Sequence, residues 1–515
     1  MYQPSYYKVV TAFICITKGC NIMESTIYSR FKELVKNDPD HPAVIDERSC
    51  VNYAGLDRLV DSLISRFPSF IPARVGIVMD HSVEMIGSIL AVIKSGAAFV
   101  AVEPDFPPER LTTFLIENGV DFVITQEKYA GLVRDFTRLI ITSEVFIDPA
   151  LHPLPDRSQA NRPAYIMYTS TPDGFPLGVA VGNSQVIHFA EAFRRTYNIS
   201  GDDILLQFSA CIMNIFIQEV FGALLNGAAL AIPSASTRNN LEALVRFIDS
   251  QYVTVISGFP YLMMELDNLE ALPMTVRLLI SGGDVLHAAS VSHLLEQVTV
   301  YNTYGPAEAT VSVTCCCCTP DSVLPDGSFP IGKPMNGTDV MILDDDLREV
   351  APGAEGEICL IGDGLADYYT GDHRGDLQPF AVISDGRRVF RTGDIGRQLP
   401  DGNYAYLRHK DSEVNILGKR VVTGEVERAM KKSDEVDDCV VVHYVDEQGA
   451  AYLVAYVVPK SRSFRLSWVK NRMAQYLPSY MIPEFFVLLK ALPTDAAGAV
   501  NPKALPVVLK DGKAG

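Results

Sequence analysis

Two short stretches of the chain bring together side chains suited to binding a polar ring-bearing ligand. Tyr304-Gly305-Pro306-Ala307-Glu308-Ala309-Thr310 combines an aromatic ring, a Gly-Pro turn and a carboxylate. Phe390-Arg391-Thr392-Gly393-Asp394, followed by Leu399-Pro400-Asp401-Gly402, is expected to put Asp394 on a tight turn, where it could accept from paired hydroxyls. Familiar phosphate and hydrolase signatures are absent from the sequence: it has no GxxxxGK[ST], no HExxH and no GxSxG. Gly362-Asp363-Gly364 lacks the third glycine of a dinucleotide fingerprint. Ten cysteines occur, four of them consecutive at 315 to 318. Neighbouring residues alternate faces on a strand, so that run cannot form a regular disulfide framework. Cys315 and Cys318 make a CxxC without a second pair at zinc spacing, so these thiols are expected reduced and buried in a strand rather than bound to metal.

The elements that must position these stretches follow an α/β pattern. Arg74–Met79 reads as a strand, Val83–Leu90 as a helix and Ala97–Val102 as a strand, with a Pro-rich loop after it. Ile204–Phe208 is a further strand whose apolar residues do not alternate, as in a strand buried on both faces. From about 330 to 408 the sequence is rich in strands and Asp-Gly turns. Beyond about 411 a smaller α+β unit follows, with strands at Val414–Ile416 and Cys439–Val442 and a helix opening at Gly424. The 515 residues are too many for one ordinary core, and 48% hydrophobic with 21% charged residues is a globular profile. A formal charge of -18 argues against nucleic acid or an anionic membrane surface as partner, and no apolar run reaches the length of a membrane span. The expectation is a cytoplasmic protein. Its short apolar stretch near residue 14 is expected to belong to an N-terminal extension over residues 1–22.

Together with Leu90-Ala91-Val92-Ile93-Lys94-Ser95-Gly96-Ala97 and Ser281-Gly282-Gly283-Asp284, the two binding stretches resemble, in order and spacing, the adenylate-forming ligase family, and within it the adenylation domains of nonribosomal peptide synthetases. The resemblance covers about residues 23 to 506. It implies an α/β fold with a large N-terminal adenylation core of several subdomains (23–408), a hinge (409–411) and a small mobile α+β C-terminal lid (412–515). It also implies a two-step reaction. A carboxylate attacks the α-phosphate of ATP to give an acyl-adenylate and pyrophosphate, and a lid rotation then presents the acyl group to a carrier-protein thiol. By this resemblance Tyr304 stacks on adenine, Glu308 helps hold Mg²⁺, Asp394 binds the ribose hydroxyls and Asp411 is the hinge residue.

Four departures from the family pattern bear on activity. The phosphate loop, commonly Y-T-S-G-T-T-G-K-P-K-G, reads Tyr168-Thr169-Ser170-Thr171-Pro172-Asp173-Gly174-Phe175-Pro176-Leu177-Gly178. Pro172 removes an N–H, Asp173 brings negative charge, and Phe175 and Leu177 replace both lysines. Ser170, Thr171 and Gly174 remain as phosphate contacts. Near the C-terminus Ala499 occupies the position of the lysine that bridges carboxylate and α-phosphate in the family. One preorganised transition-state donor is typically worth about 10²–10³ in rate. In the lid, His409 and Asn415 stand where the family has arginine and lysine. Finally, in Met213-Asn214-Ile215-Phe216-Ile217-Gln218-Glu219, Asn214 replaces the aspartate that pairs with an α-ammonium group. The other inferred pocket walls are Ile215, Gln218, Ser257, Ile280, Gly282, Thr303, Val311 and Ser312, a set without fixed charge. Such a pocket suits a neutral acyl, hydroxy, keto or aryl acid better than a cationic group.

The expectation is therefore an adenylation-domain-like protein with ATP and Mg²⁺ as cofactors and a small carboxylic acid as substrate, its adenylation reduced or lost. The alternative is an active, divergent ligase for a non-standard carboxylic acid in peptide natural-product biosynthesis. If active, the chain is expected to act on a carrier protein in trans, or on a carrier segment cut away from this sequence, because no segment with a phosphopantetheine-type serine is recognised.

Overall fold

A computed structural model describes residues 25–70, 72–136, 138–145, 151–169, 177–370, 379–410, 413–416, 419–445, 451–461, 463–493 and 504–508. Ser170, Thr171, Gly174, Asp411 and Ala499 lie outside these residues.

Two mainly parallel sheets form the large part of the chain. The first has nine strands, and its parallel centre runs Pro42–Asp46, Ala229–Ile232, Ile204–Leu206, Val255–Gly258, Leu278–Gly282 and Thr299–Tyr304 in spatial order. The second has seven strands, with Arg74–Val78, Ala98–Ala101, Phe122–Thr125 and Leu139–Ile141 parallel. Its other side is antiparallel, Pro163–Thr169 against Leu177–Gly182 against Tyr368–Thr370. The central strands lack alternation because both faces are covered: every residue of Ala98–Ala101 and of Val255–Gly258 is buried. One large core joins helices Ile27–Asn37, Tyr53–Ile64, Val83–Lys94, Asn183–Tyr197 and Asn214–Leu224 to both sheets.

The turn-rich stretch after 330 forms a third, antiparallel sheet of five strands, Thr338–Leu343, Gly356–Gly362, Arg388–Gln398, Phe380–Val382 and Tyr404–His409. Beyond it lies a small unit of its own core, with Glu413–Ile416 paired to Lys419–Val422, a three-stranded sheet (Val436–Val445, Ala451–Pro459, Phe485–Leu488) and helices Thr423–Lys431 and Leu466–Met473. Among the described residues no helix is long and apolar enough to cross a membrane.

Two expectations need correction. Asp394 is not on a tight turn. It sits inside the long strand Arg388–Gln398, where Gly393 at φ 78° and a shift in register against Gly356–Gly362 bend the chain. The cysteine run is not uniformly buried either. In the strand Thr314–Cys317 the side chains alternate, so Cys316 and, just beyond it, Cys318 are buried, while Cys317 is exposed and Cys315 half-buried. All cysteines among the described residues are free thiols.

Candidate active site

The strand Thr299–Tyr304 ends at the motif that carries Tyr304 and Glu308. Gly305 is required there by close approach: a Cβ would lie 1.7 Å from the Val311 carbonyl oxygen. The chain then makes a short 3₁₀ turn, Ala307–Ala309, and leaves it at Thr310 with φ 69°. A β-branched residue is strained at positive φ. Thr310 is held by its hydroxyl, which donates to Gly364 O at 2.7 Å. The turn is pinned from outside by Ala366 N, which donates to Glu308 O at 2.7 Å.

This geometry brings three of the expected nucleotide-binding residues together. The Tyr304 hydroxyl donates to Asp394 Oδ2 at 2.6 Å, across 90 residues of sequence. Burial and the neighbouring Asp394 carboxylate push that hydroxyl well above its ordinary pKa, so it stays a donor. Glu308 is buried, 2% exposed. Its Oε1 accepts from the Tyr369 hydroxyl at 2.9 Å, whereas the buried Oε2 has no hydrogen-bond partner among the described residues. A buried carboxylate oxygen left unpaired in the protein is costly, and a hard cation such as Mg²⁺ is the class of ligand it fits. Asp394 also has its own support. Thr392 Oγ1 accepts from Asp394 N at 3.0 Å, and Glu357 Oε1 accepts from Gly393 N at 3.0 Å. Glu357 is in turn bound by Arg391 at 2.6 and 2.8 Å and by Lys410 at 3.1 Å.

The inferred acyl pocket is also assembled in space. Ser257 and Ile280 are side by side on adjacent parallel strands, as are Gly282 and Thr303. Gln218 Nε2 donates to Ser257 Oγ at 2.5 Å, and Ser312 Oγ donates to Gln218 Oε1 at 2.7 Å, so the three polar walls form one buried chain. Thr303 spends its hydroxyl on Thr314 O at 2.7 Å and its methyl on Gly282, where a Cβ would lie 2.8 Å away. Ile215 and Val311 are buried. Asn214 opens the helix Asn214–Leu224 and is the one half-exposed wall residue. Its Nδ2 donates to Gly305 O at 3.1 Å, which ties the pocket to the nucleotide motif.

Several contributors were not legible. Tyr369 and Glu357 stand 61 and 36 residues from their partners Glu308 and Gly393, with no local pattern to mark them. Asp284, in a motif that was recognised, is pushed up to about 6 by burial. Glu219, at the end of the Asn214 segment, does not face the pocket walls. It accepts from Gln207 Nε2 at 2.9 Å and Ser209 Oγ at 2.8 Å, fixing the loop before the helix. Lys94 is a structural ion-pair residue, 1% exposed, with its ammonium 2.5 Å from Asp61.

Two mainly parallel α/β sheets, a strained turn at Thr310 and an aspartate hydrogen-bonded to Tyr304 place the chain in the α/β class. The AMP-binding enzyme family matches residues 31–370 and the AMP-binding enzyme C-terminal domain residues 425–499. The chain belongs to the AMP-binding, adenylate-forming family, as an adenylation domain of the nonribosomal peptide synthetase type. It is 33% identical over 485 residues to bacitracin synthase 2 of Bacillus licheniformis, covering 93% of this chain and 18% of that protein. It is 30% identical over 500 residues to gramicidin S synthase 1 of Brevibacillus brevis, covering 95% and 45%. The chain thus spans less than half the length of these relatives. Among solved structures, the artificially fused adenylation–PCP di-domain NpsA-ThdA from Klebsiella oxytoca superposes with a TM-score of 0.80 at 21% identity, covering 90% of this chain and 93% of that one. The o-succinylbenzoate CoA synthetase of Bacillus subtilis gives 0.82 at 20%, covering 95% and 99%.

Proposed function

We propose that the chain binds Mg·ATP and a carboxylic acid without an α-ammonium group, and that its acid-dependent adenylation is slow or lost. The observation that carries the nucleotide half is Glu308, whose buried Oε2 has no hydrogen-bond partner among the described residues, four residues on from the Tyr304 that bonds Asp394. In this reading Glu308 holds Mg²⁺, Asp394 takes the ribose hydroxyls in place of the Tyr304 hydroxyl, and the Tyr304 ring lies against the base. The metal supplies charge neutralisation on the phosphates when bound. The acyl half rests on Asn214: its amide nitrogen is committed to Gly305 O, and its remaining oxygen is a neutral acceptor with no charge to offer an ammonium. Slow chemistry follows from Asp173 and the lost lysines of the phosphate loop, and from Ala499 in place of the bridging lysine. Residues 409–411 are proposed as the hinge of the lid beyond them. A carrier protein in trans is the proposed acceptor of the acyl group. The family, the solved adenylation–PCP neighbours and the uncharged pocket walls support this reading.

The test is acid-dependent pyrophosphate–ATP exchange over amino, keto, hydroxy and aryl acids, with ATP binding measured alongside by calorimetry. Binding of Mg·ATP with exchange for a non-amino acid, or with none, fits the proposal. Preferential exchange with an α-amino acid overturns the acyl half, and absence of Mg·ATP binding overturns the nucleotide half.

A further inference from the structure

The two parallel sheets leave a crevice between the C-terminal ends of their strands, lined by none of the residues of the site above. In open α/β sheets that edge is where ligands are taken. The crevice is a cavity of about 260 Å³, reached by the residues that follow Arg74–Val78, Ala98–Ala101 and Phe122–Thr125 from one sheet and Pro42–Asp46 and Ala229–Ile232 from the other. Five carboxylates line it against two arginines, Arg48 and Arg238, so its field favours a cation.

At one wall stand three side chains of different chemistry. His81 follows the strand Arg74–Val78, Glu103 follows Ala98–Ala101, and Cys211 comes across from the other sheet, after Ile204–Leu206. One ligand atom from each lies within 4.8 Å of the other two. His81 Nε2 is 2.8 Å from Glu103 Oε1, with the His81 and Glu103 side chains 4% and 13% exposed and Cys211 2%. The same Glu103 oxygen accepts from Cys211 N at 2.7 Å, which fixes the cysteine backbone beside it.

A second, independent feature orients the imidazole. His81 Nδ1 lies 2.5 Å from Gln207 Oε1. The Gln207 amide cannot turn round, because its Nε2 donates to Ser209 O at 2.7 Å and to Glu219 Oε2 at 2.9 Å. Nδ1 therefore donates to an oxygen held in place, and Nε2 is directed at Glu103. A histidine ligand with its outer N–H held by a fixed oxygen is the usual arrangement around protein-bound metals. Arg238 Nη1 stands 3.2 Å from Nδ1.

We propose that His81, Glu103 and Cys211 form a binding site for Zn²⁺ that bridges the two sheets. Imidazole nitrogen, carboxylate oxygen and thiolate sulfur are the zinc donor set, and a tetrahedral ion needs them about 3.3–3.6 Å apart. Reaching that spacing asks His81 and Glu103 to separate slightly. Two protons leave to solvent as the metal binds, one from the Cys211 thiol and the one held between His81 Nε2 and Glu103 Oε1. Two of the three ligands line the cavity, so the fourth position faces it and takes water or a small donor. Cys211 lies three residues before Asn214, so the ion clamps the segment that leads into the acyl pocket.

The full chain, freed of metal by chelation, is titrated with Co²⁺ and then with Zn²⁺. One Co²⁺ per chain is expected, with a thiolate-to-cobalt absorption band in the near ultraviolet that Zn²⁺ displaces. Cys211→Ser should abolish the band, and His81→Gln should weaken binding at least tenfold. X-ray absorption of the Zn²⁺-loaded wild-type chain needs no variant to fold, and should read one sulfur with nitrogen or oxygen neighbours. No band in the wild-type chain, a full band in Cys211→Ser, or a sulfur-only shell from the run Cys315–Cys318 would each overturn the proposal.

Discussion

Lys94 allows the sharpest prediction, because the structure gives it a purely structural task. Its ammonium is 2.5 Å from Asp61 Oδ1 and 2.8 Å from the Tyr28 hydroxyl, and it lies over the Tyr28 ring. The Tyr28 hydroxyl donates onward to Asp57 Oδ1 at 2.5 Å, and Lys32 closes the chain on the other oxygen of Asp57. Among the described residues Asp61 has one further donor, Leu154 N at 3.0 Å. Lys94→Met keeps the length of the side chain but leaves the Asp61 carboxylate, 7% exposed, with that single amide. Removing one member of a buried ion pair costs about 3–5 kcal/mol. With an unfolding entropy near 2.1 cal/mol/K per residue, a cooperative unit of about 400 residues should lose about 4–6 °C in Tm. Far-ultraviolet circular dichroism is the assay. The chain's single tryptophan, Trp468, is half-exposed on the helix Leu466–Met473, and its fluorescence would report on the small C-terminal unit. The double variant Lys94→Met/Asp61→Asn removes both charges and should be more stable than the sum of the singles by over 1 kcal/mol. Strict additivity, or a Lys94→Met chain with unchanged Tm, would refute the structural account.

Four further outcomes follow from the site. Glu308→Gln keeps an acceptor for Tyr369 but removes the charge, so the gain in ATP affinity on adding Mg²⁺ should fall about tenfold, ~1.4 kcal/mol by calorimetry; an undiminished Mg²⁺ effect contradicts the assignment. Asn214→Asp supplies a counter-charge while losing the donor to Gly305 O, and should shift binding towards α-amino acids by about tenfold, read by calorimetry with matched amino and hydroxy acids. Ala499→Lys should raise acid-dependent exchange by about 10²–10³, with a further gain when the phosphate loop is restored alongside it. Glu219 is pushed up to about 7 by burial from an ordinary 4.5, so the native state holds a proton that the unfolded chain gives up between those values. Stability contributed below pH 4.5 is therefore lost as pH rises towards 7, and Glu219→Gln should flatten that slope in denaturant titrations.

The sequence was most informative where a pattern is local. The strands Arg74–Val78 and Ala98–Ala101 lie within a residue of expectation, and the helix starts at Val83 as expected behind its capping Ser82 but runs four residues past Leu90 to Lys94, just before Gly96. Gly393-Asp394 was misread since a Gly before an Asp signals a turn and a β-bulge alike. Cys317 is exposed because neighbouring residues of a strand take opposite faces, and the alternation that argued against a disulfide framework argued equally against burying the whole run. Motif order placed Tyr304, Glu308 and Asp394 together but could not foresee the tyrosine–aspartate bond or Tyr369. Those contacts depend on how three sheets meet, and no spacing along the chain encodes it.

The retained residues do not all weigh equally between a ligand-binding domain and a scaffold that merely kept the fold. Gly305 and Gly393 serve the fold whatever the function, one by close approach and the other by its backbone angle. Lys94 likewise serves the fold. Glu308 and Thr310 are different, because each costs stability where it stands. An unpaired buried carboxylate oxygen forfeits several kcal/mol of hydration, and a threonine at positive φ costs about 1–3 kcal/mol. A scaffold would be more stable with glutamine or a smaller apolar residue at 308 and glycine at 310. Both costs fall on the turn that faces Asp394 through Tyr304, and on the side expected to meet nucleotide. The losses in the phosphate loop and at Ala499 bear on the rate of adenylation, whereas the strained turn bears on binding. The proposed binding without efficient turnover would reconcile the two, and it predicts that Glu308→Gln stabilises the free chain while weakening its response to Mg·ATP.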